Sequence, residues 1–156
     1  MIRGEGTAFV QGVSAQEAFD FVLDPAQYTK ADTKMVWVTK LGDVPDGMIA
    51  REDGRFLGRL PGSVITRYHW DEPRRIDVTL EHGVPRALHA WFDIEDVDGG
   101  VRIHHVEELD LGLGVLGRLH DLIAGHWFAD AVRSEVAEIA RLLDAGERGR
   151  GRGAHE

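Results

Sequence analysis

The spacing of apolar and polar residues changes period along this chain, and each change marks an element. Residues 5–11 (EGTAFVQ) predict a first strand. Ser14, followed three residues later by Glu17, forms an S-x-x-E capping box. The stretch it opens places Ala15, Ala18, Phe19 and Val22 at helical spacing. Asp24-Pro25 ends that helix, and Pro25 suits the first turn of a second short helix through about Lys30. Met35, Val36, Trp37, Val38 and Leu41 read as the next strand, closed by turn residues from Gly42 to Gly47. Five more strands follow at about 48–58, 63–71, 74–82, 87–97 and 101–110. Turns at Pro61-Gly62, Glu72-Pro73, Gly83 to Pro85 and Asp98-Gly99-Gly100 separate them, and connections this short require antiparallel neighbours. From near Val115 to about Asp144 the period is helical again, with a stripe that includes Leu116, Leu119, His120, Ile123, Trp127, Phe128, Val132, Glu135, Val136 and Ile139.

The expected fold is therefore α+β: a curved antiparallel sheet of seven strands gripping one long C-terminal helix, with two short helices after the first strand. A sheet crossed by a single helix tends to close around an interior. Alternation turns Val64, Thr66, Tyr68 and Trp70 inward on one strand, and Ile76, Val78, Leu80 and His82 on the next. Leu88, Ala90, Phe92 and Ile94 follow, then Val101, Ile103, His105, Glu107 and Leu109. This inner face is apolar except for Tyr68, His82, His105 and Glu107, which makes those four the candidates for chemistry.

A buried carboxylate costs several kcal/mol unless it is paired, so Glu107 is expected to have a partner or a raised pKa. His82, His105 or His120 could supply a proton to it. Such a pair suits general acid–base chemistry in a dry pocket, or a polar rim that only binds. Glu107, His105, His120 and Tyr68 are the catalytic candidates on the first reading, with Tyr68 orienting a carbonyl. The run His104-His105-Val106-Glu107-Glu108 alternates faces on a strand, and His120 and His126 lack i, i+4 spacing, so no metal site is expected. Gly112 to Gly117 matches G-x-G-x-x-G between a strand and a helix, but no strand follows to complete a βαβ unit. It reads as a strand-to-helix hinge, and no cofactor is implied. Trp37, Trp70, Phe92, Trp127 and Phe128 are candidates for an aromatic lining, with Tyr68, His82, Leu116 and Ile123 beside them.

Composition narrows the partners. The chain has 156 residues, 43% hydrophobic and 29% charged, which suits one globular domain. That domain is expected over 1–145, with 146–156 (GERGRGRGAHE) a disordered Gly/Arg tail. There is no cysteine, so thiolate chemistry is excluded. The net charge of −9 disfavours nucleic acid and anionic membranes as partners. No apolar run approaches the ~18 residues of a membrane span, and MIRGEGTAFV lacks the apolar core of a signal peptide. A cytoplasmic protein without stable membrane insertion is the expectation. A homodimer is compatible with the sequence but not derivable from it.

Over about residues 5–145 these pieces together resemble the START/Bet v 1-like (SRPBCC) superfamily, and within it the bacterial polyketide cyclase/dehydrase group. The resemblance rests on "LDPAQY" at the helix-pair break and the strand "VWVTKLGD". It continues in "VRIHHVEELDL", the glycine-rich turn "GLGVLGRL" and the helix "DLIAGHWFADAVRSEVAEIARLLD". It implies a helix-grip fold and a function among ligand carriers, lipid-transfer proteins and aromatase/cyclases. The first expectation is binding of a small hydrophobic molecule, aromatic, polyketide-like or lipid-like, between sheet and helix. Alternatives are a polyketide cyclase, aromatase or dehydratase, and a protein-interaction module with a vestigial pocket.

Overall fold

The structure, a computed structural model, describes residues 1–56, 60–112 and 117–153, with side chains described for all of these except 56, 117–123 and 147–153. Strand β1 (Ile2–Gln11) leads into helices α1 (Ala15–Leu23) and α2 (Pro25–Ala31). Strands β2 (Met35–Val44), β3 (Gly47–Phe56), β4 (Leu60–Asp71), β5 (Arg75–His82), β6 (Ala87–Val97) and β7 (Gly100–Asp110) follow, then helix α3 (Gly117–Gly153). The seven strands form one sheet in the order β1-β7-β6-β5-β4-β3-β2, with every neighbouring pair antiparallel. The expected α+β helix-grip architecture is what the chain adopts.

Local chemistry explains the boundaries. The capping box at α1 is complete: Glu17 N–H donates to Ser14 Oγ at 3.3 Å, and Ser14 N–H donates to Glu17 Oε2 at 2.9 Å. Asp24 caps α2 by accepting from Ala26 N–H at 2.8 Å, and Pro25 begins the helix where no donor is needed. The β6–β7 hairpin turns on Gly99, whose φ of 82° favours a residue without a Cβ.

α3 runs across β1, and two glycines let it come close. A Cβ on Gly4 would lie 2.6 Å from Val132 Cγ2, and one on Gly6 would lie 3.2 Å from the Arg133 Cα. One buried cluster joins α1, the sheet and the later half of α3 through Phe19, Val22, Ile76, Phe92, Ile103 and Ile139. A second, of Ile2, Leu109, Ala124, Phe128 and Val132, seats the earlier half of α3 at the other end of the sheet.

Three expectations on elements need correction. β2 continues to Val44, because Gly42 sits at a bulge opposite β3 and only Pro45-Asp46 make the turn. A second bulge between Met35 and Trp37 resets the alternation, so Met35 and Val38 turn inward while Trp37 is 49% exposed. α3 runs past its expected end near Asp144, to Gly153. Extending an existing helix needs no new nucleus, which offsets part of the cost of the four glycines at 146, 149, 151 and 153. The expected start near Val115, most of the Gly112–Gly117 hinge, and residues 154–156 lie outside the described residues. No helix of the described residues is long and apolar enough to cross a membrane.

Candidate functional site

A cavity of about 330 Å³ opens between the inner face of the sheet and α3. Its walls are apolar: Val22, Met35, Val78, Leu88, Ala90, Phe92, Leu109, Trp127 and Phe128. Leu60 and Val84, both well exposed, also line it. One end is polar and buried, and that end holds the chemistry.

Lys34 is at its centre. Its Nζ lies 2.5 Å from Glu135 Oε2, 2.9 Å from Asp32 Oδ1 and 3.1 Å from Glu107 Oε1. Asp32 is the C-cap of α2, and its Oδ1 also accepts from Lys34 N–H at 2.7 Å, a tight turn that brings the ammonium back over the carboxylate. Tyr28 OH donates to Glu135 Oε1 at 2.6 Å. Burial disfavours the charge on Lys34, but Glu107, Glu135 and Asp32 outweigh it and hold its pKa well above the ordinary lysine value.

His105 is fully buried beneath Phe92, with ring centroids 3.7 Å apart and planes within 5° of parallel. Its Nδ1–H donates to the Trp91 carbonyl at 2.8 Å, which leaves Nε2 toward Glu107 Oε1 at 3.1 Å and Glu135 Oε1 at 3.4 Å. Burial lowers the His105 pKa, yet Glu135 and then Glu107 more than reverse it, so the imidazolium is favoured. For Glu107, burial pushes up, while Lys34 and then His105 pull its pKa below the ordinary value. Asp32 stays above its ordinary value, chiefly through burial and then Glu135.

Glu52 on β3 is set apart from this ion cluster. It is 7% exposed, and its Oε1 accepts from Tyr68 OH at 2.7 Å and Thr66 Oγ1 at 2.8 Å. Burial raises its pKa to about 6 against those two hydrogen bonds, with Glu107 and Asp32 adding to the rise.

Of the residues expected from sequence, Tyr68, Phe92, His105, Glu107, Trp127 and Phe128 line this one cavity. Trp37 does not, because of the bulge beside it. Trp70 is partly buried and packs against the main core, away from the cavity. His82 is exposed: β4 slips register between Ile65 and Thr66, and β5 pairs with β6 only as far as Thr79, so alternation no longer carries to the strand's end. The side chains of Leu116, His120 and Ile123 lie outside the described residues.

Sequence reasoning missed Tyr28, Asp32, Lys34, Glu52 and Glu135. Two of these carried a signal: Glu135 is a charge inside the apolar stripe of α3, and Glu52 shares a strand face with Met48 and Ala50. Asp32 and Lys34 lie in an irregular connection, where periodicity says nothing.

His105, Glu107 and Glu135 present ligand atoms within 4.8 Å of one another, close enough to share a metal ion. The Lys34 ammonium, within 3.1 Å of both carboxylates, already supplies the positive charge an ion would bring.

No protein-family model and no curated protein matches the sequence. Solved structures do match. A START superfamily protein from Mycobacterium smegmatis superposes with a TM-score of 0.70 at 19% identity, over 90% of this chain and 98% of that one. The Zhui aromatase/cyclase from Streptomyces sp. R1128 gives 0.68 at 14% identity, over 91% and 93%. Ara h 8.0201 gives 0.59 at 12% identity, over 90% and 96%. The chain has the START/Bet v 1-like helix-grip fold. At these identities the likeness carries the fold alone, so the function of this helix-grip domain rests on its own cavity.

Proposed function

We propose that this helix-grip domain binds a small hydrophobic molecule in the cavity between sheet and α3. The observation that carries the reading is a cavity of about 330 Å³ with apolar and aromatic walls and polar groups gathered at one end. Apolar walls supply affinity, and a few convergent polar groups fix orientation. Phe92, Trp127 and Phe128 favour a ligand with a flat or ring-bearing body, aromatic or polyketide-like. An interaction module with a vestigial pocket fits less well, since this volume is open between the described side chains.

A second reading, a cyclase or dehydratase, is favoured by one observation: the cavity carboxylate Glu52 bonds the Tyr68 hydroxyl, and burial pushes its pKa up to about 6. A general base works best when its pKa lies near the working pH. On this reading Glu52 takes the acid–base role expected of Glu107, while Lys34 and His105 keep Glu107 a fixed anion.

Native mass spectrometry of the freshly purified protein, followed by extraction of anything bound, tests the binding reading. A stoichiometric hydrophobic passenger, or uptake of aromatic or fatty-acyl probes by the empty protein, is the expected result. A protein that is empty and takes up neither would end it. Conversion of the passenger by the wild-type chain, lost in Glu52→Gln with binding retained, would favour the enzyme.

A further inference from the structure

The buried end of the cavity has an unbalanced charge. Among the described residues, Asp32, Glu52, Glu107 and Glu135 are four carboxylates in or just behind the wall, held against the Lys34 ammonium and the His105 imidazole. Lys34 is engaged by three of those carboxylates and His105 by two, so neither cation is free to receive an anionic ligand. Among the described residues, Arg55 and Glu108 are the other charged groups that line the cavity, of opposite sign and more accessible to solvent.

Glu52 is the group this arrangement leaves incomplete. Its side chain is more than nine-tenths buried, and Oε1 takes both of its hydrogen bonds, from Tyr68 and Thr66. Oε2 has no hydrogen-bond partner among the described residues, on a side chain that forms part of the cavity wall. A buried carboxylate oxygen of this kind calls for a donor, and in a net negative pocket a cationic donor gains most.

From this geometry we infer that the cavity's ligand is a hydrophobic amine, whose ammonium group donates to Glu52 Oε2 while its apolar body lies against Phe92, Trp127 and Phe128. The inference rests on the reading of the cavity as a small-molecule site. It selects against fatty acids and other carboxylates, which would bring a fifth anion to the same end.

Ionisation of Glu52 gives the inference a second readout. Thr66 and Tyr68 from β4 bond it, and Glu107 and His105 from β7, Asp32 and Lys34 after α2 and Arg55 on its own strand line the cavity with it, with Glu135 of α3 behind Lys34. An amine that stays charged across this range should bind better as pH rises through about 6, where Glu52 loses its proton. An uncharged analogue should not.

The test is calorimetric titration with three probes sharing one apolar body: naphthylethylamine, naphthylethanol and naphthylacetate. At about neutral pH the amine should bind at least about tenfold more tightly than either analogue. In Glu52→Gln, whose amide oxygen can still accept from Thr66 and Tyr68, that preference should collapse while naphthylethanol affinity is retained. If naphthylethanol or naphthylacetate binds as tightly as the amine, the inference fails and the cavity reading stands. An amine preference that survives Glu52→Gln also overturns it. Binding of none of the three overturns both. Should the variant fail to fold, the pH series on the wild-type chain decides, and an amine preference unchanged between about pH 5 and about pH 7.5 rejects the inference.

Discussion

Glu52 and Glu107 line the same cavity, yet their surroundings drive them in opposite directions. Burial penalises both charges, but Glu107 has Lys34 and His105 beside it and is pulled below its ordinary pKa. Glu52 has only hydroxyl donors and is pushed from 4.5 to about 6. The raised value means that the native state holds this proton more tightly than the unfolded chain does. Glu52 therefore subtracts stability as pH rises from about 4.5 through 6, by about 2 kcal/mol once both states are ionised. Glu52→Gln removes that dependence. Urea unfolding should show the variant gaining about 2 kcal/mol on the wild type between about pH 4 and about pH 7. A difference independent of pH would mean that Glu52 titrates normally. At this scale the sequence was partly legible: the alternation of β7 placed His105 and Glu107 on one face, and the two do meet. Their counter-ion was not legible, because Lys34 arrives from a connection with no period.

The elements were recovered almost entirely, because each is written in local chemistry: the capping box at Ser14, proline at the start of α2, and period-two alternation through β4 to β7. Bulges were not recovered. Inserting one residue between Met35 and Trp37 reverses which side chains face in, and nothing in the run Met35-Val36-Trp37-Val38 marks where the extra residue falls. The approach of α3 to β1 is likewise a property of two elements together. Gly4 admits Val132, a stiff and fully buried side chain, and the backbone of Ala129 is 3.2 Å from the position a Cβ would take. Gly4→Ala should therefore push α3 off the sheet and cost about 1–3 kcal/mol in chemical denaturation, although alanine suits a strand better than glycine. Unchanged or higher stability would show that α3 can shift without loss.

For the whole molecule, a cavity is space that the core does not fill, and a cavity kept for a ligand lowers stability. Ala90 lies on its wall in β6, between Val78 of β5 and Glu107 of β7 in the strand register. Ala90→Leu should fill part of the space, raise stability by about 1 kcal/mol or leave it unchanged, and weaken hydrophobic-probe binding by about tenfold. Thermal melting and probe titration on the same samples separate the two effects. Loss of stability with full retention of binding would mean that Ala90 packs against a closed wall.

The order of elements, their antiparallel pairing and the amphipathic faces away from the bulges of β2 and the end of β5 were determined by the sequence alone, because hydrophobic period, caps and turn residues act over a few neighbouring positions. Tertiary structure decided which charges meet. Asp32 and Lys34 after α2, Glu52 on β3, Glu107 on β7 and Glu135 on α3 are far apart in the chain, and only closure of the sheet around α3 brings them to one end of the cavity. Burial and mutual distance then set their protonation, and neither quantity exists until the chain has folded.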